Sequence, residues 1–233
     1  MTDAKSVFHN TTDNAPARSS VDEFLDSMKA GPATGGQGRL IFALDATASR
    51  QPTWDMACKL QADMFREVAA IGGLSVQLAY YRGESECRTS RWVSNPAQLS
   101  RLMERLDCRA GITQIGKILT HAKRKTVILP VSALVFVGDA IEENIDSLVI
   151  EARELGRLKV PAFMFQESHT SSTEQAFRSI AEATGGAYSR FDAGAAKQLS
   201  ALLKAVALFA VGGKAALEGR KDEASLRLIG QLK

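Results

Sequence analysis

The chain has 233 residues, of which 45% are hydrophobic and 24% charged, with a formal net charge of +3. These proportions sit near globular averages and exclude collagen-like, coiled-coil and wholly disordered chains. So small a positive excess, with only 6% aromatic residues, argues against a nucleic-acid-binding surface built on basic charge and stacked rings. Cys58, Cys87 and Cys108 form an odd set with no CxxC pair. That argues against a disulfide framework or zinc knuckle and for a reducing compartment. The first twenty residues lack a positive start followed by an apolar run, so they do not read as a secretory signal. The longest apolar stretch, 205–213, falls short of the ~20 residues that span a bilayer. The expectation is a cytoplasmic protein with no membrane or nucleic-acid partner.

Residues 1–37 read as a flexible N-terminal arm. It carries a short amphipathic helix near 21–29, where Ser20 and Glu23 have capping-box spacing and Val21, Phe24, Leu25 and Met28 share a face. From Arg39 the pattern changes to apolar runs separated by helical periodicity. RLIFALDA is a buried strand ending in an acid. Pro52 opens a helix with Met56, Leu60, Met64 and Val68 on one side. LSVQLAYYRG is a second strand, and the more polar ECRTSRWV is a third strand near an edge. Asn95-Pro96 starts a helix, and Ile115, Ile118, Leu119 and Ala122 mark another. SALVFVGD is a further strand ending in an acid, followed by a helix capped by Asn144. KVPAFMFQ comes next, then a helix opened by a Ser171–Glu174 capping box and stopped at Gly185-Gly186, then the short strand AYSRF and a last long helix. Beyond residue 211 the chain reads as a charged, partly helical tail.

Strands that alternate with helices and read as continuous apolar runs predict an α/β fold with a mainly parallel sheet covered on both faces. In such folds ligands gather at the carboxyl ends of the strands. Asp45 and Asp139 each close a buried strand at that edge. Directly after the first strand, Asp45, Thr47 and Ser49 place a carboxylate and two hydroxyls at alternate positions. Thr113 in AGITQIG opens a helix on another loop. Two acids and three hydroxyls at one edge are the oxygen donors that hard cations such as Mg²⁺ take.

In this order and at these separations, DATAS, AGITQIGKIL and ALVFVGD resemble the von Willebrand factor A domain, with its DxSxS, distant Thr and distant Asp. SIAEATGGAYSRFDAGAAKQLSALL is similar to the end of bacterial members. The resemblance covers residues 39–211. It implies a three-layer, Rossmann-like, six-stranded sheet and a metal-ion-dependent adhesion site for Mg²⁺ or Mn²⁺. Thr47 and Ser49 would ligate through hydroxyls, Asp45 and Asp139 directly or through water, and Thr113 likewise. One position would stay open for a carboxylate from a protein partner. The chain departs from the pattern at Thr47, where Ser is commoner, at Ile112, where Gly is usual, and in the Gly138-Asp139-Ala140 sequence. Arg50 and Trp54 after the first strand, and Lys117 and His121 on one helix face with Arg124, are expected at the partner surface. Arg82, Arg88 and Arg91 are expected to widen its basic area.

Two alternatives stand beside this reading. DATAS with VFVGDAIEEN also resembles haloacid-dehalogenase-type phosphatases. There Asp45 would be the nucleophile, Thr47 would replace the second acid, Asp139 and Glu143 would hold Mg²⁺, and Lys123 or Lys125 would neutralise phosphate. The other alternative is a scaffold of the same fold that holds no metal, in which Asp45 and Ser49 cap the turn that follows the strand.

Overall fold

The computed structural model describes residues 38–51, 54, 73–191 and 196–232. The arm, the helix of Met56 to Val68, and Cys58 lie outside the described residues. Six strands form one sheet: β1 (Gly38–Asp45), β2 (Leu74–Arg82), β3 (Glu86–Val93), β4 (Ala133–Gly138), β5 (Ala162–Gln166) and β6 (Ala187–Arg190). Their order is β3-β2-β1-β4-β5-β6. All neighbours are parallel except β2 and β3, which are antiparallel. The chain builds outward from β1 in one direction and then from β4 in the other. The switch point of the sheet therefore lies between β1 and β4, where the loops diverge and leave a crevice.

Helices α1 (Pro96–Met103), α2 (Ile115–Ile128), α3 (Ile145–Arg157), α4 (Ser171–Thr184) and α5 (Ala196–Gly212) flank the sheet, followed by the short α6 (Ala215–Glu218) and α7 (Glu223–Ile229). Alternation along the strands divides the core into two layers. Leu40, Phe42 and Leu44 of β1 pack with Leu202, Leu203 and Val206 of α5. Ile41 and Ala43 face Ile118 of α2, Ala152 of α3 and Phe177 of α4. Tyr81 lies in this second layer, the side of the sheet to which alternation also assigns Asp45.

Local chemistry accounts for several helix ends. Asn95 and Asn144 accept from the backbone N–H groups of Ala97 and Ser147 (both 2.9 Å) and so cap α1 and α3. Gly185 ends α4 with φ of +71°, where a side chain would be strained. The Ser171–Glu174 capping box does not form. The N-cap is Thr170, without a side-chain cap bond, and Glu174 instead pairs with Arg178 at 2.8 Å. Residues beyond 211 form α6 and α7 and pack onto the domain. Leu217, Leu228 and Leu232 enter the same core layer as α5, and Asp222 caps α7 through Ser225 N–H at 2.9 Å.

Candidate functional site

Asp45 ends β1 at the switch point and is fully buried. Its Oδ1 accepts the Thr47 N–H (2.8 Å) and its Oδ2 accepts the Tyr81 hydroxyl (3.0 Å). Each oxygen keeps a further lone pair. Burial raises the Asp45 pKa, opposed by hydrogen bonds from Thr47, and the nearby Asp139 carboxylate adds to the rise. The Tyr81 phenol is pushed well above its ordinary value by its own burial and then by Asp45.

The turn after Asp45 brings the hydroxyls of Thr47 and Ser49 to 3.1 Å of each other. Thr47 is buried, whereas Ser49 opens to solvent. The 107–114 loop is laid against this turn by an isolated bridge between Thr47 and Arg109 and by Arg109 N–H donating to Ala46 O at 3.0 Å. Gly111 permits the loop to lie on the β2–β3 turn. A Cβ there would stand 2.2 Å from the Gly83 carbonyl oxygen. The loop delivers Thr113, buried, to the same edge.

Asp139 follows β4, the strand beside β1. Gly138 lies against Asp45, whose Cβ a Cβ on the glycine would meet at 3.3 Å, and the carboxylate of the next residue, Asp139, is near enough to act on Asp45. Asp139 Oδ1 is buried and takes no hydrogen bond among the described residues. A buried carboxylate oxygen without a donor is costly and calls for a positive or donating group. The sequence-predicted donors Asp45, Thr47, Ser49, Thr113 and Asp139 thus come from three loops at one edge, with an orphaned acceptor among them. This all-oxygen set fits a hard divalent cation. No group of three or more His, Cys, Asp or Glu side chains is placed to share an ion among the described residues.

Other expected residues fall elsewhere. Trp54 is 3% exposed and packs in the core, its indole N–H donating to Leu106 O at 3.0 Å. Arg50 is 1% exposed and its Nε lies 2.7 Å from Glu167 Oε2. Both side chains are buried in these positions, not exposed at the surface where the sequence places them. Lys117 is exposed, although its Nζ already donates to Ser85 O (3.1 Å) and Gln114 Oε1 (2.7 Å). His121 is half-buried with Nε2 2.8 Å from Gln77 Oε1. Burial first, then Lys125 and Arg124, lowers the His121 pKa and so disfavours the charged ring. Lys117, His121 and Arg124 line a cleft of about 440 Å³ with Cys87 and Thr89 of β3. Arg82 does not widen this basic face. It is buried and tied to Glu86 and Asp107.

Of the residues that the phosphatase reading needs, Asp45, Thr47 and Asp139 share this edge, whereas Glu143 and the lysines are engaged in other contacts. Glu143 accepts the N–H groups of Ile115 (2.5 Å) and Gly116 (2.9 Å), neutralising the start of α2. Lys123 pairs with Glu151 and Glu154 of α3, and Lys125 lies one turn from the far end of α2. At ~1.5 Å per residue, both lysines stand more than ~10 Å along α2 from its site-facing end. Sequence reading also missed Tyr81 and Glu142. The local signal for Glu142 was the adjacent acid pair after the β4 loop. Tyr81 sat unmarked in an apolar strand.

No protein-family model and no curated protein sequence matches the chain. Solved structures match its fold. An aerotolerance-related membrane protein from Bacteroides fragilis, crystallised with multiple mutations to serines, superposes with a TM-score of 0.54 at 18% identity, covering 69% of this chain and 95% of that one. The SpRpn10 VWA domain gives 0.57 at 11%, over 70% and 95%. A D319A mutant of the PilB minor pilin from Streptococcus sanguinis gives 0.61 at 10%, over 82% of this chain and 65% of that one. At such identities the likeness concerns the fold alone.

Proposed function

We propose that this chain, which has a von Willebrand factor A-like fold, is a protein-interaction module that engages a partner carboxylate through a divalent cation at the β1–β4 edge. Asp45, Thr47, Ser49, Thr113 and Asp139 hold the cation, Mg²⁺ or Mn²⁺. The observation that carries this reading is Asp139 Oδ1, buried beside a second carboxylate with no donor among the described residues. When bound, the cation supplies positive charge and an open coordination position for an anionic ligand. Tyr81 and the Thr47 N–H fix the Asp45 carboxylate, and the exposed Ser49 marks the side from which a partner approaches.

Calorimetric titration of Mg²⁺ into chelator-stripped protein tests this. Saturable binding at one site, lost in Asp139→Ala and weakened in Ser49→Ala, is expected. Absence of binding to the wild type refutes it.

A second reading is favoured by Arg50. Its buried guanidinium acts on Asp45 and pairs with Glu167, placing a built-in cation near the same acids. In that reading the fold is an interaction scaffold with no metal. The same titration separates the two.

A further inference from the structure

We infer that the end of the domain opposite the candidate site is a docking surface for an anionic membrane. The observation is an exposed aliphatic tip where α2 ends. Val127 is 73% exposed, Ile128 79% and Leu129 39%. Helix α3 ends beside it. Thr120 bonds Glu151, and Lys123 pairs with Glu151 and Glu154, so the two helices run side by side and the last turn of α3 brings Leu158, 41% exposed, to the same level. Single exposed aliphatics are ordinary, but four together at one end of a domain form a patch of the kind that marks an interaction surface.

The tip is a held structure. Leu129 N–H donates to Lys125 O at 2.9 Å, Val131 N–H to Thr126 Oγ1 at 3.0 Å, and Arg39 Nη1 to Pro130 O at 3.3 Å. These bonds turn the chain at once after the helix, so the aliphatic side chains project where the helix stops. They need no reordering on binding, which favours a surface ligand.

Charge selects the ligand. Arg124, Lys125 and Arg157 stand within a turn of the aliphatic residues, and Arg39 lies under the tip. The acids of the adjoining turn, Glu151 and Glu154, are engaged by Lys123. Aliphatic side chains inside a basic collar match the boundary between acyl chains and anionic headgroups. No helix among the described residues is long and apolar enough to cross a membrane, so this attachment is peripheral. It departs from the sequence expectation of no membrane contact. Helix α2 spans 14 residues between the two ends, which at ~1.5 Å each puts the candidate site about 20 Å from the lipid, facing away from it.

The test is co-sedimentation of the full chain with vesicles of phosphatidylcholine mixed with phosphatidylglycerol, against phosphatidylcholine alone, in chelator throughout. The chelator makes the outcome independent of the metal-bridge proposal. Wild type is expected to sediment with the anionic vesicles only, and less so in high salt. The double variant Val127→Ser/Ile128→Ser is expected to lose about tenfold in partitioning, and Arg124→Glu/Arg157→Glu a comparable amount. Both aliphatic positions are exposed, so an unchanged thermal midpoint will show that the double variant folds. Failure of the wild type to sediment overturns the inference, as does undiminished binding of Val127→Ser/Ile128→Ser. A wild-type dimer dispersed by that variant, without vesicle binding, assigns the tip to a second copy and also overturns it.

Discussion

Thr113 and Glu142 hold each other reciprocally across two loops. The Thr113 N–H donates to the Glu142 carboxylate at 2.9 Å, and the Glu142 N–H donates to Thr113 Oγ1 at 3.0 Å. The pair fixes the 107–114 loop against the loop that follows Asp139, and so sets where the third hydroxyl of the edge stands. Thr113→Val keeps the shape but leaves the Glu142 N–H without its acceptor. It is expected to cost about 1 kcal/mol in urea unfolding, whereas Thr113→Ser should stay near wild type. Equal stability of Thr113→Val and wild type would show that the pair does not order these loops.

Gly111 is set by contact and Gly185 by conformation, and the two should respond differently to alanine. At Gly111 the new Cβ meets the Gly83 backbone, with its Cα at 2.4 Å. Backbone cannot rotate away, so a loss of about 2–3 kcal/mol is expected. Gly185 has open space around it but a φ of +71°, and Gly185→Ala should cost about 1 kcal/mol. Chemical denaturation of both variants checks the order.

Arg50 and Glu167 form an ion pair whose side chains are 1% and 6% exposed. Removing the carboxylate takes a counter-charge from the buried guanidinium, so Glu167→Ala is expected to destabilise by about 3 kcal/mol. The double variant Arg50→Met/Glu167→Leu should lose much less than the two single changes added together. Additive losses in this cycle would mean that the two side chains do not stabilise each other.

Cys108 should be a slow nucleophile. Its burial, opposed by Arg50, pushes the thiol pKa from 9.0 up to about 11. At pH 8 its reactive thiolate is then about a hundredfold scarcer than in the unfolded chain, and alkylation resolved site by site should slow accordingly. The folded-state value lies above the unfolded one, so the group's stabilising contribution is complete below about pH 9 and is lost as pH rises towards 11. Rapid labelling of Cys108 in the native protein would contradict this.

The strands were legible because burial on both faces writes a continuous apolar run, as in IFAL and ALVFV, and parallel packing follows from the helices between them. Asp45 and Asp139 were legible because each closes such a run. The orientation of Trp54 and Arg50 was not. A residue in a turn carries no periodicity that says whether it faces the core or solvent, and here Leu106 and Glu167, distant in sequence, draw both inward. Tyr81 was missed for a related reason. Its hydroxyl matters only because β1 and β2 align Asp45 with Tyr81 in register. The charge of the segment beyond residue 211 gave no sign that Leu228 and Leu232 enter the core layer of α5 while Leu226 stays exposed.

The claim that a cation at this edge leaves a position for a partner carboxylate is tested most directly by water proton relaxation with Mn²⁺ bound to the protein, titrated with acetate. Relaxation is expected to be enhanced on Mn²⁺ binding and to fall as acetate displaces a coordinated water, with both signals lost in Asp45→Ala and Asp139→Ala. Mn²⁺ enhancement that acetate leaves unchanged, or that persists in both variants, would contradict it.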